Sequence, residues 1–356
     1  MTEASMIFEF YHCKFLIIMK VIALKEFGGS INFEMKEIPI PTPQNNEVLV
    51  QVHAISINPV DSKTRRGDGL AEILKNVNPM ILGWDISGVI IKSNSNRFKE
   101  GDGVFGMLNF PGYGGAYAEY VIARDSHIFL KPKTISHQEA AAASLAALTA
   151  WQTLFGVGKL EAGQKVLIHA ASGGVGHYAV QMAKASGAYV IGTSSSKNRE
   201  FVMGLGADEH IDYTSVNFEE RVNDLDLVID TIGGENLERS LKVLREKGIL
   251  INLIENYPVQ ILEKALNENK TFHHHVVHSS GKDLEGIAEM LSQGRLKSHV
   301  THNFNFEKFL NNYHQRIGDY KLIISGILTQ GYKKSIPSNV DFKKSLTEVM
   351  EYIASL

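Results

Sequence analysis

Lys165-Val166-Leu167-Ile168-His169-Ala170-Ala171-Ser172-Gly173-Gly174-Val175-Gly176 is the stretch on which the fold turns. An apolar strand reaching Ala171 runs directly into glycines, and a helical pattern follows to Ser186. Glycine lets backbone come close to a pyrophosphate, and the first turn of a helix supplies unpaired N–H groups at the positive end of its dipole. Strand, turn and helix in this order therefore read as a phosphate-binding loop. Ala171 occupies the place of the first glycine in the G-x-G-x-x-G pattern, so the motif is imperfect. A tight turn that binds nothing is the competing reading, and the strand that follows the helix argues against it.

Toward the C-terminus the rhythm continues. Residues 189–193 read as a second strand with a helix after it, and the apolar runs at 209–213, 225–232, 248–254 and 271–277 each have a helical segment between them. Strands alternating with helices predict a doubly wound parallel sheet, an α/β architecture. Toward the N-terminus the text is different. Residues 19–133 hold short alternating strands punctuated by Gly, Pro and Asn, such as 47–57, where Val48, Val50 and Val52 alternate with polar neighbours, and 115–122. Gly101-Asp102-Gly103-Val104-Phe105-Gly106 carries turn glycines around an apolar pair, as the corner of a small barrel does. An Ala-rich helix is expected over 139–150, its small side chains suited to close packing where the two halves meet. The first eighteen residues read as an extension, interrupted by Glu3, Glu9, His12 and Lys14. Phe342, Leu346, Val349, Met350 and Ile353 fall at helical spacing and predict a terminal amphipathic helix.

The chain has 356 residues, 44% of them hydrophobic and 21% charged, which fits two globular domains. A net charge of −3 with scattered Lys and Arg gives no basic stripe, so no nucleic-acid partner is expected. No apolar run has the length of a membrane span, so no membrane partner is expected either. Cys13 is the single cysteine, which excludes an internal disulfide and a four-cysteine zinc lobe and fits a reducing cytoplasm.

Some twenty residues beyond the glycine loop, NAD binders commonly carry an acidic residue for the adenine ribose hydroxyls. Here the chain reads Gly192-Thr193-Ser194-Ser195-Ser196-Lys197-Asn198-Arg199, offering hydroxyls and cations. That composition suits a 2′-phosphate and hence NADPH; the alternative is that Lys197 and Arg199 merely cover the exposed start of a helix. His273, His274, His275 and His278 suggest a metal at first sight, but on a strand His273 and His275 face one side and His274 the other, so no ligand set converges.

Taken together, Asn58-Pro59-Val60-Asp61, Gly83-Trp84-Asp85-Ile86-Ser87-Gly88-Val89, Gly101-Asp102-Gly103-Val104, Leu148-Thr149-Ala150, the glycine loop, Gly206-Ala207-Asp208 and Gly294-Arg295-Leu296 resemble the medium-chain dehydrogenase/reductases. Within them the chain is most similar to the zinc-free quinone oxidoreductase and zeta-crystallin branch, over residues 19–300. The resemblance implies a GroES-like β-barrel domain at 19–143, a Rossmann domain at 144–280, a return to the first domain at 281–330 and a tail at 331–356. It implies a homodimer, and an NADPH-dependent, zinc-independent transfer of hydride to a quinone or an α,β-unsaturated carbonyl. Relatives that use catalytic zinc hold it with an early cysteine and a His-Glu pair; Asn58 and Trp84-Asp85 stand near those places, and a lone carboxylate cannot hold the metal.

Carried across by position, Asn58 and Asp61 line the cleft beside the nicotinamide, and Thr149 contacts its carboxamide. Ser172, Gly173, Gly174, Val175 and Gly176 hold the pyrophosphate, while Ser195, Lys197 and Tyr213 surround the adenosine phosphate. Two departures stand out. Lys63, Arg65 and Arg66 replace the aromatic residues that often follow the Asn-Pro-x-Asp segment, and Tyr320-Lys321-Leu322-Ile323-Ile324 replaces the family's late Gly-Lys-Ile-Val strand. A trans-2-enoyl thioester reductase, with those three cations meeting a phosphate, and a non-catalytic NADPH-binding protein of the crystallin kind remain alternatives. Asn58-Pro59 also fits a plain structural turn.

Overall fold

The computed structural model describes residues 18–301 and 303. The N-terminal extension, the segment at 320–324 and the terminal helix expected from residue 341 lie outside the described residues.

The first half is antiparallel. Strands β1 (Ile18–Leu24), β2 (Phe33–Pro39) and β4 (Met80–Ile81) form one sheet in the order β2-β1-β4, while β3 (Glu47–Ser56), β5 (Asp85–Ser93), β6 (Gly103–Met107), β7 (Tyr120–Arg124) and β8 (Ile128–Leu130) form another in the order β7-β3-β5-β6-β8. An isolated pair, Val21 with Ala118, links the first sheet to the loop before β7. Between β3 and β4 the chain makes two short helices, α1 (Pro59–Arg66) and α2 (Ala71–Leu74). Alternation along the strands sends Val21, Val48, Val50, Ile86, Val104 and Val121 into a common core.

After α3 (His137–Ala142) and α4 (Leu145–Trp151) the pattern changes to parallel strands. Strands β9 (Lys165–Ile168), β10 (Tyr189–Ser194), β11 (Glu209–Asp212), β12 (Leu225–Asp230), β13 (Leu244–Asn252) and β14 (Thr271–His274) lie in the order β11-β10-β9-β12-β13-β14, all parallel. Helices α5 (Gly174–Ala185), α6 (Arg199–Gly204), α7 (Asn236–Val243) and α8 (Gln260–Asn267) connect them. The order reverses between β9 and β12, and ligands of doubly wound sheets bind above such a switch point. Finally α9 (Gly281–Ser292) turns back to pack on β8 and α4.

The expected Ala-rich helix over 139–150 is two helices. The break falls at Ala143-Ser144, because the buried Asp85 carboxylate accepts the Leu145 N–H at 3.0 Å and so caps a new helix start. Its packing role is as expected. Ala140, Ala143, Ala146, Ala147 and Ala150 share one core with Trp84, Phe105 and Met107 from the antiparallel half and Ile168, Ala171 and Tyr178 from the parallel half. A π-helical turn at 152–157 follows α4. There the Gln152 amide donates to the His278 carbonyl and to Asp283 Oδ2, both at 2.9 Å, tying the turn to the start of α9.

Gly176 is where α5 approaches the strand end most closely, since a Cβ there stands 2.2 Å from the Ala170 carbonyl oxygen and 2.8 Å from the Ala171 Cα. Gly204, at the exposed end of α6, has no atom within 4 Å of a built Cβ. We expect Gly176→Ala to lower stability by about 2–4 kcal/mol through overpacking. Gly204→Ala is expected to raise stability by roughly 0.5–1 kcal/mol by restricting the unfolded chain. Thermal melts of the two variants check both signs.

Candidate active site

The glycine loop sits on top of the switch point. Ala170 takes a left-handed conformation (φ 47°), which turns the chain so that the Ala171 N–H reaches the Thr193 carbonyl on β10 and the Gly173 N–H reaches the Ala170 carbonyl, each at 2.8 Å. Gly173 caps α5, and Gly174, Val175 and Gly176 are its first turn. The N–H groups of that turn have no partner within the helix and point out of its positive end. These residues fit a pyrophosphate: glycine leaves the approach open, and Gly176 can be no larger because the helix lies on the strand end.

Ser172 and Ser195, far apart in sequence, are brought together by Asn198. Its side-chain amide donates to Ser172 Oγ at 3.1 Å and to Ser195 Oγ at 3.5 Å, and the residue is buried. The sequence reading passed over Asn198. Its signal was an Asn directly before a helix, a position where side chains commonly satisfy neighbouring backbone or hydroxyl groups. Lys197 lies exposed on the turn between β10 and α6, and Tyr213 is half exposed just past the end of β11. The carboxylate paired across from this turn is Asp212, opposite Ser194 in the β10–β11 register. Against a burial effect that raises it, hydrogen bonds from the Thr214 hydroxyl and N–H, at 2.7 and 3.0 Å, hold its carboxyl below the usual range.

On the antiparallel half, Asn58, Asp61 and Asp85 form one buried cluster. Asn58 caps α1, with Pro59 in the first turn, and its N–H donates to Asp61 Oδ2 at 2.5 Å. The structural turn that the sequence allowed is therefore present, and the side chain does more. Asn58 Nδ2 donates to Asp85 Oδ2 at 2.8 Å, while the other oxygen of Asp85 takes the Leu145 N–H. Asp85 is fully buried, and Asn58 and Asp61 are each 3% exposed. Burial pushes the Asp61 carboxyl up to about 7, with the Asn58 N–H and the Tyr117 hydroxyl pulling the other way. Burial also raises Asp85 well above the usual range, and the neighbouring charge of Asp61 adds to it. Two carboxyls so placed do not both ionise near neutral pH.

Asp85 is the residue that sequence reasoning undervalues, since there it is one member of the Gly83–Val89 segment and an inadequate zinc ligand, with no structural role. Both its oxygens accept hydrogen bonds from the protein itself. Thr149 stands one turn along α4 from this anchor, nearly buried, its hydroxyl donating to the Leu145 carbonyl at 2.7 Å. Trp84 fills the junction: it is 1% exposed, its indole N–H donates to the Gly112 carbonyl at 2.7 Å, and Phe110 stands edge-on to it at 5.5 Å.

Arg65 corrects the expectation of three cations facing a substrate phosphate. It is 2% exposed, and its guanidinium donates to the Gly28 carbonyl, fastening α1 to the loop after β1. A free surface cation at that place belongs to the sequence pattern and not to the fold. In the histidine run, the His273 and His275 rings lie 6.2 Å apart, while His274 packs on Tyr257 at 5.1 Å. Among the described residues no three His, Cys, Asp or Glu side chains form a group able to hold a metal ion. No described helix is long and apolar enough to cross a membrane.

Comparison with known proteins agrees with this geometry. The family profile described as an alcohol dehydrogenase GroES-like domain matches residues 44–133, and that described as a zinc-binding dehydrogenase matches residues 205–314. A chloroplastic quinone-oxidoreductase homolog of Spinacia oleracea is 40% identical over 204 residues, covering 55% of this chain and 61% of that protein. A mitochondrial NAD(P)H oxidoreductase of Danio rerio is 32% identical over 302 residues, covering 73% of this chain and 78% of its own length. Among solved structures, the quinone oxidoreductase from Coxiella burnetii superposes with a TM-score of 0.77 at 33% identity, covering 83% of this chain and 95% of that one. A relative above 30% identity spanned over more than two thirds of its length, both family profiles and the shared two-sheet architecture lead to one conclusion: the chain belongs to the medium-chain dehydrogenase/reductase superfamily, in its quinone oxidoreductase branch, a family of NAD(P)H-binding oxidoreductases.

Proposed function

We propose that this protein is an NADPH-dependent, zinc-independent reductase of quinones or α,β-unsaturated carbonyls. The observation that carries the reading is the turn after β10. It carries Ser195, Lys197 and Arg199 in sequence, and Asn198 ties Ser195 to Ser172 of the glycine loop; a carboxylate in this turn would repel a 2′-phosphate. Asp212, the nearby acid, is engaged by Thr214. When bound, NADPH supplies the hydride.

The remaining chemistry belongs to side chains of this chain. Asn58 and Asp85 are hydrogen-bonded to one another, an arrangement that favours a metal-free site. Adding hydride to a conjugated acceptor requires only that a delocalised anion be stabilised, which does not call for a Lewis acid. Asp61, with its carboxyl raised to about 7, is close to half protonated at neutral pH and is the group we assign to deliver a proton to the reduced substrate. Thr149 and the glycine loop fix the cofactor, as the family resemblance implies. The burial of Arg65 leaves Lys63 and Arg66 for the thioester alternative and so favours a small quinone, enone or enal. The same resemblance supports a homodimer, and the single cysteine a reducing compartment such as the cytoplasm.

Three outcomes follow. NADPH oxidation followed at 340 nm with quinones, enals, enones and an enoyl-CoA is expected to persist in chelator and to exceed the rate with NADH; tight NADPH binding without turnover on any of them contradicts the enzyme reading in favour of a binding protein. Lys197→Glu should raise KM for NADPH by about tenfold or more and leave KM for NADH within a few-fold, since a charge-assisted contact to phosphate contributes roughly 1.5–3 kcal/mol. The third concerns Asp61, whose folded carboxyl titrates at about 7 against 3.8 unfolded. The folded state holds that proton more tightly, so its contribution is full below pH 4 and is lost as pH rises to 7, by up to about 4 kcal/mol. Asp61→Asn keeps the acceptor for the Asn58 N–H and cannot titrate. Denaturant midpoints at pH 5 and pH 8 should therefore converge in the variant relative to the parent, and an unchanged pH slope would overturn the assignment.

A further inference from the structure

His210 lies on β11, the edge strand, opposite Gly192 of β10, and reaches Ser194, the residue before the turn that carries Ser195 and Lys197. Its ring Nε2 is 2.8 Å from Ser194 Oγ, on the last residue of β10. The Ser194 hydroxyl is buried and also lies 3.2 Å from the Ser195 carbonyl. If the hydroxyl donates to that carbonyl, the imidazole N–H donates to Ser194 Oγ, and a ring protonated at both nitrogens keeps this bond.

The parallel register sets Gly192 beside His210. A Cβ at Gly192 would stand 2.8 Å from Ala171 Cβ and from Val202 Cγ1. The face shared by Gly192, Ser194 and His210 is thus the one on which the glycine loop and α6 close down. The charges His210 senses are Arg199 at the start of α6, which disfavours its protonation, and Asp212 two residues along its own strand, which favours it; β10 contributes the Ser194 hydroxyl. Burial, the largest cause, also lowers its affinity for a proton.

We propose that His210 is a specificity-determining residue for the cofactor: a titratable support beneath the adenosine phosphate turn, which gains a proton when a dianionic 2′-phosphate is bound above it and so makes the preference for NADPH over NADH increase as pH falls. The proposal rests on the NADPH reading given above. No bond is made or broken; one proton passes from solvent to the imidazole on binding. The Ser194–His210 contact holds the end of β10 in place, and a phosphate brings negative charge to a site where burial first, and Arg199 second, disfavour the charged ring. Linkage then requires that protonation and phosphate binding assist each other by the same factor. NADH carries no 2′-phosphate and draws no proton there.

The test is a fluorescence titration of the purified full chain with NADPH and with NADH between pH 6 and pH 8.5, for the parent, His210→Asn and His210→Gln. Glutamine can place its amide where the imidazole Nε2 stands and keep the hydrogen bond to Ser194, asparagine is too short to do so, and neither titrates; circular dichroism and melting temperature establish that each folds. The phosphate itself gains a proton with a pKa near 6, which weakens NADPH binding at low pH in every variant alike. The ratio of parent to variant discrimination isolates the histidine. We expect the parent's Kd ratio, NADH over NADPH, to exceed the variants' ratio by about three- to tenfold at pH 6.5 and to match it within twofold at pH 8.5. Parallel profiles in parent and variants overturn the role of His210 while leaving the NADPH preference standing. A parent that binds NADH as tightly as NADPH at every pH overturns both.

Discussion

A single buried carboxylate joins the two halves of this molecule. Asp85 begins β5, takes the side-chain amide of Asn58 from the cap of α1, and takes the Leu145 N–H that starts α4. A carboxyl removed from water is costly unless its oxygens find partners, and here the donors come from both sides of the junction. The consequence is geometric. The helix that leads into the parallel sheet cannot shift relative to α1 without leaving a buried acceptor unpaired. Thr149 and Asn58, the residues that face cofactor and substrate in the proposed mechanism, are fixed relative to one another through this one side chain.

Around that anchor the packing is dense in small residues. Five alanines from α3, α4 and the break between them share a core with Trp84 on one side and Tyr178 on the other. Helices lined with alanine approach closely, and close approach transmits position. The same economy of volume governs the glycine loop, where Gly176 and Gly192 leave no space for a Cβ and the turn after β10 closes onto the loop through Asn198. The glycine loop and the Asn58–Asp85 cluster are therefore built on strand ends and helix starts.

Much of this was legible in the amino-acid order. Alternation of strand and helix after residue 165 follows from local pattern, and so does the placement of a glycine loop between β9 and α5, because apolar period and glycine position are properties of adjacent residues. What escaped was decided by contacts across the fold. The break at Ser144 depends on Asp85, sixty residues earlier, and nothing between 139 and 150 announces it. Arg65 looked like a surface cation and is buried against Gly28, which only the folding of α1 onto the first strand could reveal. Asn198 and His210 were passed over for a similar reason: each acts on a hydroxyl that the register of the parallel sheet brings near. The strand read as extending to Ala171 stops at Ile168, where Ala170 turns into the left-handed region to open the loop.

In the proposed function a hydride passes from NADPH to a conjugated acceptor without a metal ion. This transfer is tested most directly by following the hydrogen itself, with NADPH carrying deuterium at both C4 positions of the nicotinamide, a conjugated enone and chelator-treated protein, and the product read by mass spectrometry and NMR. The account predicts one deuterium at the β-carbon of the saturated ketone and a solvent-derived proton at the α-carbon. A product without label, or no product from protein that binds NADPH tightly, would contradict it.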